Sequence, residues 1–289
     1  MATAFLMVIF IKTFFMQRIL VVINAHNPDL ESINFACKIA VAAKTKLTGL
    51  LLENLYFSYI PTSGLAAPYF ENRTPSNETV VADINQGTRI FKEQCKIKGI
   101  TPDIIVDRGN PIEEIVFESR FADLAIIDPH LSFYDKEEQF PSHFVKEVLA
   151  KAECPILLAP EKFDRADEIV FCYDRSASSI FAVKQFTYVM PEFRNTKVTL
   201  LEVSKQSEIE FDETDRRMME WLRAHYSSVC YHALKGDSKD ELFNYFFMHE
   251  NKFIVMGAYG RSMVSNFFRK SEADVLIRMV DLPLFITHK

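Results

Sequence analysis

Gly257 and Gly260 stand three residues apart in Gly257-Ala-Tyr-Gly-Arg-Ser262, directly after the apolar run Phe253–Met256. A strand that ends in a Gly-x-x-Gly turn before a helix is suited to phosphate. Glycine lets the backbone turn sharply and approach a ligand closely. Free N–H groups in the turn and at the helix start then face the anion. Arg261, Ser262 and Ser271 add a cation and two hydroxyls. Asp174 closes another apolar run, Glu168–Tyr173, and its carboxylate can accept hydrogen bonds from a ribose or a base. Each feature has an ordinary reading too. The glycines can simply turn the chain, Arg261 can be a solvated charge, and Asp174 can cap a helix, since Ser176 and Ser178 follow it. With only 8 glycines in 289 residues, a pair at a strand end is informative.

The elements that position these residues occur twice. Arg18–Asn24 aligns with Glu168–Asp174, each a continuous apolar strand ending in Asn or Asp. Helical patterns follow at about Ser32–Lys44 and Ser178–Val189, then strands at Leu47–Glu53 and Lys197–Val203. Further runs pair Asp123–Asp128 with Lys252–Gly257, and Cys154–Ala159 with Leu282–Thr287; a last helical pattern covers about Glu272–Met279. Apolar strands alternating with amphipathic helices indicate parallel sheets covered on both faces. The expected fold class is α/β: two tandem, doubly wound, five-stranded Rossmann-like domains. They span 16–163 and 168–289, with Asp164–Asp167 as a polar linker. Pro155 and Pro283 suit strand starts or edges.

Open α/β sheets bind ligands beyond the carboxyl ends of their strands, where strand order reverses. In the second unit that edge collects Asp174, Val203, Gly257 and Gly260. In the first unit Asn24, Asp128 and Leu131 take the places of Asp174, Gly257 and Gly260. Asp128-Pro129 removes a flexible residue and one N–H, and adds a negative charge facing a phosphate. The first unit is therefore expected not to bind ATP.

The remaining features restrict function more than they define it. Net charge is −6 with no basic stripe, which argues against nucleic acid as a partner. No phosphate-binding Gly-x-x-x-x-Gly-Lys-Ser/Thr loop, His-Glu-x-x-His zinc motif or Gly-x-Ser-x-Gly nucleophile turn is present. The histidines lack metal-ligand spacing; His130 and His143 read as ordinary loop or helix residues near the first unit's edge. Cys37, Cys95, Cys154, Cys172 and Cys230 have no Cys-x-x-Cys spacing and read as reduced, small core residues. The first unit has a long loop from Asn54 to about Asn77 carrying Tyr56, Phe57, Tyr59, Tyr69 and Phe70. Its aromatics are expected to pack on their own domain, with an interaction surface as the second reading. The second unit has only the short polar link Ser204–Glu210. Residues 1–15 are apolar except for Thr3, Lys12 and Thr13, and the uninterrupted run Ala4–Ile11 is too short for a span. They read as an over-called start ahead of Met16 or an added segment packing on a neighbour, with a membrane anchor second.

On these residues the second unit resembles a universal stress protein domain, and the whole chain from Met16 onward resembles a tandem member of that family. Asp174, Leu200–Val203 and the run from Met256 through Ser262 to Ser271 carry the resemblance. ATP-binding members have Gly-x-x-Gly, nine residues, then Gly and Ser or Thr. Gly257, Gly260 and Ser271 match, but Lys270 replaces the third glycine. The resemblance implies the adenine nucleotide alpha hydrolase-like version of the fold and a cytoplasmic protein of the stress response. Its cofactor would be ATP or another adenine nucleotide, with Mg²⁺, held by Asp174, Val203, Gly257, Gly260, Arg261, Ser262, Lys270 and Ser271. It implies no catalytic residue, and at most weak ATP hydrolysis. It also implies that the closing strands of the two units pair within the chain, setting 155–159 beside 283–287; whole chains could associate further as a homodimer. A stress scaffold acting through protein contacts, without nucleotide, is the alternative.

Overall fold

The computed structural model describes residues 16–53, 77–133, 138–205, 210–247, 251–257, 276–278 and 281–287. The first half runs β1 (Arg18–Asn24), α1 (Leu30–Ala43), β2 (Lys46–Leu52), α2 (Asn77–Ile97), β3 (Asp103–Asp107), α3 (Pro111–Ser119), β4 (Leu124–Ile127), α4 (His143–Lys151) and β5 (Ile156–Leu158). The second half runs β6 (Glu168–Tyr173), α5 (Ala177–Val189), β7 (Lys197–Ser204), α6 (Glu213–Arg223), β8 (Val229–Lys235), α7 (Ser238–Phe247), β9 (Lys252–Gly257) and β10 (Leu284–Thr287). A 3₁₀ turn, Pro191–Phe193, follows α5, and residues 276–278 are helical.

The apolar runs form the strands because a strand covered on both faces has no polar side to show. β1, β2, β4, β5, β9 and β10 are buried along almost their whole length. Caps fix the helices that follow. Asp29 accepts the Ser32 N–H at 2.7 Å to start α1, and Lys44 ends it in the left-handed region (φ 51°). Asp212 and Asp215 form a reciprocal capping box at the start of α6. β3 and β8 are the outermost strands and show exposed side chains, so neither reads as a continuous apolar run.

All ten strands form one sheet in the order β3-β2-β1-β4-β5-β10-β9-β6-β7-β8. Each half is a parallel five-stranded sheet, doubly wound as expected. The halves join where β5 pairs antiparallel with β10, placing Leu158 opposite Leu284 and Ile156 opposite Ile286. Pro155 and Pro283 sit immediately before these two strands, where no ladder N–H is needed, although both strands are central rather than edge strands. One core lies under α1, α2, α5 and α6, and a second on the opposite face under α3, α4, α7 and Leu276–Ile277. Both cores draw residues from both halves.

The polar stretch between β5 and β6 is anchored as well as connecting. Phe163 stands edge-on to Phe35 at 5.1 Å, and the Lys38 ammonium donates to the Phe163 carbonyl. The aromatics of the 54–76 loop and the apolar 1–15 segment lie outside the described residues.

Two acids load the fold in opposite ways. Glu168, at the start of β6, accepts from Thr199 at 2.5 Å and Lys197 at 2.9 Å, and from buried Lys252. Burial works against its charge, but these donors outweigh it and hold its pKa at about 2. The resulting stability is complete above the ordinary carboxylate value and is lost as pH falls towards 2. Glu168→Gln should therefore weaken the protein at pH 7 by about 3 kcal/mol, since it strands Lys252. In urea titrations the gap to wild type should close below about pH 3; a gap that stays constant with pH refutes the ion cluster. Glu192, in the 3₁₀ turn, has both carboxylate oxygens buried with no hydrogen-bond partner in another described residue. Burial pushes its pKa up to about 7, against a smaller pull from its own backbone N–H. Stability should fall as pH rises from about 4.5 to 7 and then level off. Glu192→Gln should raise the melting temperature at pH 8 by a few degrees and leave it almost unchanged at pH 4.5, as scanning calorimetry can measure.

Candidate functional site

The second half turns around β6. α5 leaves on one face of the sheet, and α7 returns to β9 on the other. The reversal falls between β6 and β9, so the carboxyl edge there is the crevice that this fold offers a ligand. Tyr173 pairs with Glu202 and Cys172 with Met256, which sets Asp174 beside Val203 and Tyr173 beside Gly257. Asp174 and Val203 thus lie level at the carboxyl ends of β6 and β7, and Gly257, the last residue of β9, sits one register step behind them on the adjacent strand. Val203 turns towards the α7 face with Cys172 and Leu234. Gly260, Arg261, Ser262, Lys270 and Ser271 lie outside the described residues.

Asp174 does not cap α5. Its carboxylate accepts the Ser176 N–H at 3.0 Å in a local turn, and Ser176 is the cap, accepting from the Ser179 N–H at 3.1 Å. The helix starts two residues later than a capping Asp174 would require, and Arg175 between the two takes the left-handed conformation (φ 63°). Asp174 is left exposed at the crevice mouth. At Gly257 a Cβ would collide with the carbonyl and hydroxyl of Ser178. The start of α5 packs against this backbone, so packing alone requires the glycine. The Ser178 hydroxyl is buried here with no hydrogen-bond partner among the described residues.

The most strongly organised group at this edge includes residues that patterning did not single out. The Arg175 guanidinium spans from β6 to α6. Nε donates to Asp215 Oδ1 at 3.0 Å, and Nη2 donates to Asp215 Oδ2 at 2.8 Å, Glu202 Oε2 at 3.2 Å and the Glu210 carbonyl at 2.8 Å. Asp215 is fully buried and Glu202 nearly so. Tyr231 donates to Glu202 at 2.8 Å, and burial together with that carboxylate pushes its phenol well above its ordinary value. Asp215 also accepts the Asp212 N–H at 2.8 Å in the capping box. One cation therefore fixes the turn holding Asp174 to the start of α6. The sequence signal was Glu202, a charge inside the apolar run Val198–Val203, which requires a buried partner.

The first half is built differently at the equivalent edge. The ladder register places Asp128 where Gly257 stands and Asn24 where Asp174 stands. Asn24 donates to the Ser132 carbonyl at 3.2 Å and accepts from the His26 N–H at 3.0 Å. Glu53, buried at the end of β2, meets His26 Nε2 at 2.9 Å and Arg108 at 3.6 Å. Burial raises the Asp128 carboxyl, partly offset by the His130 N–H, and His130 stacks on Phe140 at 4.3 Å. His143 begins α4, its N–H donating to Glu138 at 3.1 Å.

A cavity of about 660 Å³ lies at this first-half edge. It opens over the ends of β4 and β5 beside the start of β10. Asp29, Glu31, Asp128, Glu161 and Asp281 face it against Lys162 and Arg278. An excess of carboxylates repels phosphate; at the Asp174 edge Glu202, Asp212 and Asp215 are answered by Arg175, and the start of α5 lies beside Asp174.

No protein-family model matches this sequence, and no curated protein matches it. Solved structures do match. A universal stress protein from Archaeoglobus fulgidus aligns with a TM-score of 0.68 at 17% identity, covering 94% of this chain and 98% of that one. A functionally unknown protein from Pseudomonas aeruginosa aligns with a TM-score of 0.57 at 13% identity, covering 94% of this chain and 92% of its own. The likeness runs through both halves, so the chain has the fold of that Archaeoglobus protein over almost its whole length.

Arg175→Ala leaves Asp215 and Glu202 buried without their cation. It should cost about 3 kcal/mol in chemical denaturation at pH 7, with Arg175→Lys recovering only part, because a point charge cannot span both carboxylates. A loss under about 1 kcal/mol, the range of a surface pair, would show that the bridge is solvated.

Proposed function

We propose that this chain is a tandem universal stress protein that binds ATP or a related adenine nucleotide at the carboxyl edge of its second half. The observation that carries the reading is the gathering of Asp174, Val203 and Gly257, within one register step of each other, at the carboxyl ends of three adjacent strands at the reversal point, beside the start of α5. Asp174 is exposed there and anchored through Arg175, so its carboxylate is held out for a sugar or base. The buried Ser178 hydroxyl next to Gly257 adds a donor where phosphate would approach. Arg261, Ser262, Lys270 and Ser271 would complete the phosphate contacts, with Mg²⁺ accompanying a triphosphate. The reading assigns no catalytic residue and places the protein in the cytoplasm; no described helix is long and apolar enough to cross a membrane. The first half would hold no nucleotide and would contribute its closing strand.

Calorimetric titration with ATP, ADP and AMP tests the reading. Wild type should bind at least one of them below millimolar concentration. Asp174→Ala should weaken binding about tenfold, the loss of one charged hydrogen bond. Lys270→Gly should tighten binding if the lysine obstructs the phosphates and loosen it if the ammonium contacts them. No heat from wild type would abandon the nucleotide in favour of a scaffold working through protein contacts, and equal binding by Asp174→Ala would move the site elsewhere.

A further inference from the structure

We propose that Cys37 and Cys95 are a thiol modification site that a hydroperoxide converts to a disulfide joining α1 to α2. The two sulfurs are 3.7 Å apart, both fully buried, on helices that pack against each other. They are 58 residues apart in sequence, and only packing brings them together. A disulfide needs the sulfurs at about 2.05 Å, so the remaining approach is under 2 Å and within reach of side-chain rotation with a slight shift of the helices. Cys154 is buried alone, and burial pushes its thiol up to about 12. Cys172 and Cys230 lie on β6 and β7's neighbour β8, and Cys230 is exposed.

The pair is electronically unequal. Either thiol can donate to the other; the hydrogen bond from Cys95 and, more weakly, the Lys98 ammonium lower the Cys37 thiol against burial, which favours Cys37 as the thiolate. Cys95 is correspondingly held as the thiol. Cys37 is then the attacking sulfur. Its thiolate takes the terminal oxygen of the hydroperoxide, the O–O bond breaks, and the leaving alkoxide or hydroxide takes a proton. The resulting Cys37 sulfenic acid is attacked by the Cys95 sulfur, which loses its proton as the S–O bond breaks and water leaves. Two thiols and one hydroperoxide give one disulfide, one alcohol (water when the oxidant is hydrogen peroxide) and one water. Entry is through the end of α2. Ile97 is 71% exposed, and Gly99 stops the helix in the left-handed region (φ 72°). Cys95 is thus in the last turn, the part of a helix that opens most readily. The cross-link closes a loop that includes β2 and fixes α2 on α1.

The test treats the full-length reduced protein with hydrogen peroxide, quenches it with a thiol-alkylating reagent in denaturant, and maps the peptides. Two of the five thiols should disappear into one reducible peptide pair containing Cys37 and Cys95, with a mass loss of two hydrogens. The melting temperature should rise by roughly 5 °C, since the link restrains the unfolded chain, and reductant should reverse the rise. Cys95→Ser should block the link and leave Cys37 as a sulfenic acid that dimedone traps. The wild-type mapping stands without the variant if the variant does not fold. Peroxide that oxidises exposed Cys230 while Cys37 and Cys95 remain free thiols overturns the proposal. So does a link that forms only in denaturant.

Discussion

The antiparallel seam between β5 and β10 is the constraint on which the rest of the structure depends. Each half alone would end in a short strand of buried, almost entirely apolar side chains and an open ladder edge. Such an edge pairs with another chain unless something covers it. Here each half covers the other. Leu157 and Phe285 meet across the seam at no exposure, and the Phe285 ring stands edge-on to Phe186 at 5.2 Å. The two cores run through the seam on both faces of the sheet, so each is shared by both halves.

The sense of the seam also decides where chemistry can happen. Strands in the second half run opposite to those in the first, so the two carboxyl edges open on opposite sides of the sheet. The crevice at Asp174 and the acidic cavity at Asp128 are therefore separate surfaces. A ligand at one edge does not touch the other. Divergence of the first half could proceed without disturbing the edge of the second.

Equivalent positions in the halves have kept their geometry and changed their charge. Arg18 opens β1 beside Thr48, and Glu168 opens β6 beside Thr199. Arg18 is answered by Glu118 at 2.8 Å, and Glu168 by Lys197 and Lys252. At the opposite ends Glu53 is met by His26 and Arg108, while Glu202 and Asp215 share Arg175. Each of these buried carboxylates is met by a cation, and the cation comes from whichever loop or strand lies nearest. The partner is a property of the packing, and the need for one is a property of the residue.

Much of the fold was legible in the residues because burial on both faces of a strand leaves a mark that needs no knowledge of neighbours. A continuous apolar run such as Leu20–Ile23 or Phe253–Met256 is a central strand wherever it pairs, and Asp29 before Leu30 caps a helix by local contacts alone. The internal repeat fixed the order of elements, and the contrast between Asp128 and Gly257 separated the two edges. β3 and β8 left no such mark, because an edge strand shows one row of side chains to water. What the residues could not specify were contacts between distant segments. Glu202 signals that it needs a partner but not that Arg175 is the one. Gly257 suggests a ligand, yet the start of α5 already accounts for its missing side chain. Cys37 and Cys95 lack any motif spacing, and only the crossing of α1 and α2 brings their sulfurs together. Periodicity and caps are settled within a few residues of chain, whereas these pairings depend on where whole elements dock, and docking is decided by the folded sheet.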